Sequence, residues 1–349
     1  MKLRNITKQQ LFLPFFMMVL VLLVNLLKSP DFFAIHMQNG VLYGRLIDVL
    51  NRGSEIAILA VGQTLVVAVS AGTDISVGSV MSLAACGSCM LLAGYGVNSA
   101  TALQVPLFLG LLFGILLGAL CGAFNGFLVS RLRIQPMVAT LILFTAARAI
   151  GLLLCNNQIT YIRYEPYRYF GNFIPGCPVP TAIFITIFVI AAVALLLRRT
   201  AMGLYIQSVG INARAARISG ISSEAVCFLC YLLCGICAGI AGLVASSRIY
   251  SADSNNIGLN YELDAILAVA LGGNSLGGGR FNMAGSVIGA YTIQAITTTL
   301  LAMGVSTDQA PVVKALIVVL IVVIQAPVFR GWLERRELRR GKGKETVYA

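Results

Sequence analysis

The chain has 349 residues, of which 58% are hydrophobic and only 11% charged, with a mean hydropathy of +0.88 and a formal net charge of +12. A soluble domain carries roughly 25% charged residues, so a water-soluble globule is excluded. The positive charge sits in loops and at the ends and asks for no nucleic-acid partner. Apolar runs near the length that crosses a bilayer as a helix, about 20 residues, recur along the chain and point to an all-α, polytopic membrane protein.

The first run, 11–27, follows Lys2, Arg4 and Lys8. Lys28-Ser29-Pro30-Asp31 comes next, where a signal peptide has small cleavage-site residues, so an uncleaved first helix is expected. Further runs lie at 56–71, 75–92, 105–129, 137–155, 179–197, 225–246, 263–271, 283–303 and 312–328. They predict about ten crossings. Two of the runs are short. Run 56–71 ends at Gly72-Thr73-Asp74 and run 263–271 at Gly272-Gly273-Asn274. Short, glycine-interrupted segments mark broken helices near a transport path, although an ordinary helix end with a tight turn reads the same way.

Charge sets the expected orientation. The tail after Arg330 is basic, with Arg335, Arg336, Arg339, Arg340, Lys342 and Lys344. By the positive-inside rule both termini are expected in the cytoplasm, together with 131–133, 198–224 and 277–280. Loops 94–104 and 250–261 hold no Lys or Arg and fall outside. Arg163 and Arg168 in loop 156–178, and Arg45 and Arg52 before the second run, depart from that pattern. The expected organisation is one permease-like domain over 1–349: a helical bundle at 11–328, a polar segment at 198–224 and a basic tail at 329–349.

Gly114, Gly118, Gly122 and Gly126 recur every four residues on one helix face, and Gly235 and Gly239 repeat the spacing. Such stripes let helix backbones approach closely in a membrane. Glu55-Ile-Ala-Ile-Leu-Ala-Val and Gly78-Ser79-Val80 are echoed by Glu262-Leu-Asp-Ala-Ile-Leu-Ala-Val and Gly285-Ser286-Val287. That echo is either an internal repeat or a coincidence among common apolar residues.

Enzyme chemistry is not expected. His36 is the one histidine, and no phosphate-binding G-x-x-x-x-G-K-[ST] loop occurs; Gly277-Gly278-Gly279-Arg280 lacks its lysine and hydroxyl. Energy must come from another protein or an ion gradient, and no cofactor or metal is expected in this chain. Cys227, Cys230, Cys234 and Cys237 lie at helical spacing in an apolar run, and Cys86 and Cys89 form a CxxC. Thiolates would have to ionise in lipid-like surroundings, so these cysteines read as small packing residues. Polar groups inside apolar runs are the functional candidates. Asp74, with Ser76, lies in the glycine-rich break, Asn125 on the glycine-striped helix, and Glu262 and Asp264 open a short run. Arg148 and Lys314 read as partners for a carboxylate or as side chains reaching the interface.

Segment 198–224, RRTAMGLYIQSVGINARAARISGISSE, suits a short helix on the cytoplasmic face, stopped at Gly220. Gly62-Gln-Thr-Leu-Val-Val, Gly72-Thr-Asp-Ile-Ser-Val-Gly-Ser, Ala215-Ala216-Arg217-Ile-Ser-Gly220, Tyr261-Glu-Leu-Asp-Ala-Ile and Leu276-Gly-Gly-Gly-Arg-Phe then resemble, in order, the membrane subunits of ribose/xylose/galactose-class ABC importers. Gln38-Asn-Gly-Val-Leu-Tyr-Gly, Ile47-Asp-Val-Leu-Asn-Arg52 and Ala252-Asp-Ser-Asn-Asn-Ile-Gly258 are similar to the galactofuranose-type permease of that class. The resemblance implies a bacterial inner-membrane permease subunit for a monosaccharide. Its implied partners are a cytoplasmic ABC ATPase that binds ATP, an extracytoplasmic sugar-binding protein, membrane lipid and a second permease, either a related but different chain or a second copy of itself. It also implies a coupling loop of the form E-A-A-x-x-x-G. Asn212, Arg214, Ala215, Ala216, Arg217 and Gly220 fall there, with Arg214 where Glu is frequent. An ion-coupled secondary transporter of a small polar solute, and a purely structural membrane subunit, are the alternatives; neither needs an ATPase socket.

Overall fold

The computed structural model describes residues 11–28, 30–38 and 40–325. Lys2, Arg4, Lys8 and the tail 329–349, on which much of the orientation argument leans, lie outside the described residues. The chain divides into two compact units, 1–298 and 299–349.

The first unit is mostly helical. It opens with α1 (Phe12–Lys28), followed by the short hairpin of β1 (His36–Gln38) and β2 (Val41–Tyr43), which turns at Gly40 with φ 77°. Then come α2 (Arg45–Ser70), α3 (Val77–Ala93), α4 (Leu107–Ser130) and α5 (Pro136–Leu154). After a single turn, α6 (Glu165–Arg168), the chain continues through α7 (Thr181–Arg199), α8 (Met202–Ile211), α9 (Ala213–Ile218), α10 (Ser223–Ile249), α11 (Tyr261–Leu271) and α12 (Met283–Ala302). The second unit takes in the last turn of α12, which stops at left-handed Gly304, and α13 (Ala310–Gln325), where Lys314 is partly buried.

Among the described residues five helices are long and apolar enough for a full crossing: α2, α4, α5, α7 and α10. The other apolar runs form shorter helices, apart from 283–303, which forms the 20-residue α12. Helix α2 corrects the reading of 56–71 as a short segment. It begins eleven residues earlier and runs for 26 residues without a break. Asp48, Arg52 and Glu55 had hidden its first turns, and Arg45 and Arg52 belong to this helix rather than to an outer loop. Its second half is buried on all sides, whereas α4, α5 and α7 present outward faces of Leu, Ile and Phe suited to lipid.

The glycine stripes meet. A Cβ on Gly118 would lie 2.9 Å from Gly239 Cα, and one on Gly122 would lie 3.0 Å from Gly235 Cα. Gly239 in turn lies against Gly114 O. Helices α4 and α10 therefore touch backbone to backbone, which is how helices associate where lipid removes the hydrophobic drive. Eight of the nine cysteines are buried in the surrounding core, Cys234 against Gly62 among them.

Three loops that the charge pattern places on one side gather in one sheet. β3 (Ser99–Ala100), β4 (Thr160–Ile162) and β5 (Ser251–Ala252) are ordered β3-β4-β5, the first pair parallel and the second antiparallel. At the other end, Glu224 holds Arg131 at 3.4 Å, Arg133 at 3.7 Å and Arg217 at 3.2 Å. The two ends of the helices are thus each drawn together, one by backbone pairing and the other by charge.

The seam makes a prediction. Gly122→Leu is expected to destabilise the chain by about 1–3 kcal/mol or more, because a side chain there meets backbone that cannot give way. Lipid-facing Leu120→Phe is the control. Thermal unfolding in detergent, followed by monodisperse yield, measures both; equal midpoints for the two variants would refute the seam.

Candidate functional site

Two interruptions of the helical backbone lie inside the bundle. The first follows α2. Ala71 takes a left-handed conformation (φ 51°), and the chain turns back along the helix it has just left. The Gln63 amide, turned so that its oxygen accepts from Asp74 N at 3.0 Å and its nitrogen donates to Asp74 O at 3.3 Å, pairs with the returning backbone. Asp74 therefore sits about two turns inside the end of α2.

Asp74, Ser76 and Asn125 form one buried cluster, at 2%, 0% and 1% exposure. Ser76 donates to Asp74 Oδ1 through its backbone N–H at 2.8 Å and its hydroxyl at 2.6 Å. Asn125 Nδ2 donates to Ser76 Oγ at 2.8 Å and reaches Asp74 Oδ2 at 3.4 Å. Ile75 N donates to Thr140 Oγ1 at 3.2 Å. This set ties the break to α4 and α5. Asp74 faces the protein interior, as an intramembrane carboxylate must.

The second interruption precedes α11. The chain leaves β5, passes through 253–260 without helical structure, and enters α11 after left-handed Asn260 (φ 64°). Arg148 of α5 holds this stretch, donating through Nη1 to Ser254 O, to Asn255 O at 3.3 Å and to Ile257 O at 3.4 Å. Ser82 and Ser254 share a hydroxyl contact at 2.9 Å. Gly78, in the first turn of α3, leaves no room for a Cβ, because Gly258 O and Glu262 Oε2 occupy the place. The first turns of α3 and α11 therefore adjoin. Glu262 lies in that contact, drawn by the Arg148 charge, and Asp264 is buried one turn-edge on.

Of the sequence candidates, the structure brings Asp74, Ser76 and Asn125 together in one cluster. Glu262 and Asp264 belong to a separate site at the second break. A further pair escaped the sequence reading. Glu55 and Arg248 form a buried ion pair at 2.6 Å, with Tyr261 beside it, where α2, α10 and α11 come together. Glu55 lies just outside the apolar run as read from 56, and Arg248 at the end of another, so neither was counted as intramembrane.

The polar segment folds as α8 and α9 joined at an elbow. Asn212 caps α9, its Oδ1 accepting from Arg214 N at 3.0 Å and Ala215 N at 3.1 Å. Gly220 (φ 82°) ends it, with Ile221 N donating to Ala216 O and Gly220 N to Arg217 O, each at 3.0 Å. This is the left-handed glycine stop that the sequence calls for. Ala216 points inward and is 5% exposed, while Asn212, Arg214, Ala215 and Arg217 are exposed. Ile218, passed over in the sequence, is 89% exposed and borders an open pocket of about 390 Å³ with Arg133, Arg214 and Arg217.

The family model for the permease component of branched-chain amino acid transport systems matches residues 45–324. The chain is 42% identical over 317 residues to a galactofuranose transporter permease of Escherichia coli K12, covering 89% of this chain and 88% of that one. It is 36% identical to a fructose import permease of Bifidobacterium longum NCC 2705 (88% and 85% covered). It is 35% identical to a ribose import permease of Escherichia coli K12 (88% and 91% covered). No solved structure matches. A match this long, on a membrane-embedded bundle of apolar helices, settles the matter of kinship: the chain belongs to this family of transport-system permease components.

Proposed function

We propose that the chain is the permease subunit of an ATP-driven monosaccharide importer in a bacterial inner membrane, contributing half of the translocation path and no ATPase site of its own. About ten crossings with both termini cytoplasmic, and one permease domain over 1–349, complete the reading. The relatives named for galactofuranose, fructose and ribose support a sugar cargo. A cytoplasmic ATPase, an external sugar-binding protein and a second permease are the partners this reading requires.

The observation that carries the coupling role is a direct contact. Gly279 N donates to Ala68 O at 2.9 Å, and Gly210 of α8 packs on the same carbonyl with no space for a Cβ. The elbow therefore rests on the last turn of α2, immediately before the Asp74 break. A push on α9 from below bears on the break without an intervening layer. Asn212 and Gly220 fix the elbow's shape, Arg214, Ala215, Arg217 and Ile218 form its outward face, and Ala216 seats it on the bundle. Asp74, Ser76 and Asn125 hold the gate end of α3, and Glu262 and Asp264 line the second break.

Two measurements test this. Ile218→Asp is expected to leave the chain inserted and monodisperse but to lower ATPase copurification and uptake about tenfold or more, the scale of an apolar anchor lost from an interface. Unchanged uptake would remove the elbow from the ATPase contact. Ala216→Trp is a poorer probe, because that side chain faces the bundle.

Asp74→Asn keeps an oxygen for the two Ser76 donors but puts an amide N–H₂ opposite Asn125 Nδ2, where a donor already points. It is expected to cut uptake by about tenfold, the cost of one buried polar group left unpaired. The double change Asp74→Asn with Asn125→Asp restores an acceptor to the cluster and should recover part of it. No recovery, with normal expression, would assign the loss to the charge at 74 rather than to its bonding. Reconstituted uptake driven by an ion gradient with no ATPase present would favour the secondary transporter instead.

A further inference from the structure

The segment Asp253–Asn260 reads from its charge pattern as an outer loop, yet it lies deep in the bundle. Helix α3 provides a ruler. Its outer end is Ala93, and the segment meets it at Ser82 and again at Gly78. At 1.5 Å per residue these contacts lie about 16 and about 22 Å along the helix from that end. Helix α4 agrees. Gly110, near its start, packs on Leu92, and Gly114 on Ala84 O, so Ser82 is already level with the second or third turn of a 24-residue helix. The 11-residue α11 then covers only about 16 Å of the remaining depth. The outer half of this crossing is non-helical chain and the inner half is helix.

Non-helical backbone at membrane depth is tolerated where it is buried in protein or lines a water-filled cavity. One side of this segment is buried: Ser254, Ile257 and Gly258 face Arg148, Ser82 and Gly78. The other side is open. Asn255, Asn256, Leu259 and Asn260 are exposed on the first unit. Asp253 braces that side, its Oδ1 accepting from Asn255 N at 2.9 Å and its Oδ2 from Asn256 Nδ2 at 2.5 Å. Among the described residues the amides of Asn255 and Asn260 donate no side-chain hydrogen bond. Open amides at this depth would each cost several kcal/mol against lipid.

We propose that Asp253–Asn260 is a re-entrant segment lining the outer half of the translocation path, and that Asn255, Asn256 and Asn260 contact the permeating sugar. The chemistry fits a neutral polyhydroxylated solute. Primary amides both donate to and accept from hydroxyls, Leu259 offers an apolar edge for a C–H face, and the carboxylate on this side, that of Asp253, is taken up by Asn255 N and Asn256 Nδ2. The proposal rests on the sugar-import reading for the identity of the solute, and on the geometry for the path.

The test uses the assembled transporter in proteoliposomes. Cys177, the one cysteine not buried, is changed to Ser, and single Cys residues replace Asn255, Asn256 or Asn260. Expected is labelling by a membrane-impermeant maleimide from the outer face, slowed several-fold while ATP hydrolysis delivers sugar from its binding protein. Labelling only by a lipid-soluble maleimide, or none in the assembled complex, would overturn the path assignment. Labelling unaffected by sugar would overturn the substrate contact. Independently of labelling, Asn255→Leu is expected to reduce sugar uptake about tenfold, the order of one lost hydrogen bond to a hydroxyl; unchanged uptake would overturn the contact at Asn255. Sugar uptake by the unmodified complex is read in the same vesicles; its absence sinks the sugar-import reading, whereas impermeant labelling alone reports the water-filled path.

Discussion

Every backbone N–H and C=O inside a bilayer must find a partner within the protein, and this requirement governs the rest of the molecule. A helix meets it automatically; a break does not. At the first break the donors and acceptors are supplied by Gln63, Asp74, Ser76 and Thr140. At the second they come from Arg148, Ser82 and Asp253. These are the polar residues that a purely apolar bundle would lack. Their cost in burial is offset by the main-chain groups they satisfy.

Close packing follows from the same constraint. A break surrounded by lipid would fail, so the breaks sit behind helices that approach to backbone contact. Gly118, Gly122, Gly235 and Gly239 bring α4 and α10 together, and α10 covers α2 on the side of Glu55. The Glu55–Arg248 pair is enclosed with Tyr261 of α11. Removing one partner of a buried pair leaves an uncompensated charge, whereas replacing both is far milder. The pair therefore fixes the register of three helices more than it adds stability.

Much of this was legible from residue types. Stripes of glycine at four-residue spacing can only be a seam, and the seam is where they meet. Asp74 in a glycine-rich break between apolar runs had few places to go but inward. Asn212 and Gly220 bracket α9 as cap and stop. What escaped depends on depth and direction, which spacing does not encode. The start of α2 was hidden because Asp48, Arg52 and Glu55 look like loop until Glu55 finds Arg248, 193 positions along, in a contact of 2.6 Å. Residues 253–260 carry loop chemistry and so read as outside, although Gly78 draws Gly258 far down the helix. Ala216 reads like Ala215, and only the turn of α9 sends one inward and the other out.

Kinship and geometry divide the functional question between them. The matching family model is named for branched-chain amino acids, while the relatives are named for sugars, so membership fixes the permease architecture but not the solute. The solute has to be argued from the surfaces it would meet. A zwitterionic amino acid needs fixed charges of both signs along its path. At the second break Arg148 spends its Nη1 on three main-chain carbonyls, and Glu262 is packed against Gly78. The groups left facing outward are amides. That arrangement suits a solute whose hydroxyls both give and take hydrogen bonds, and it would desolvate a charged one without compensation.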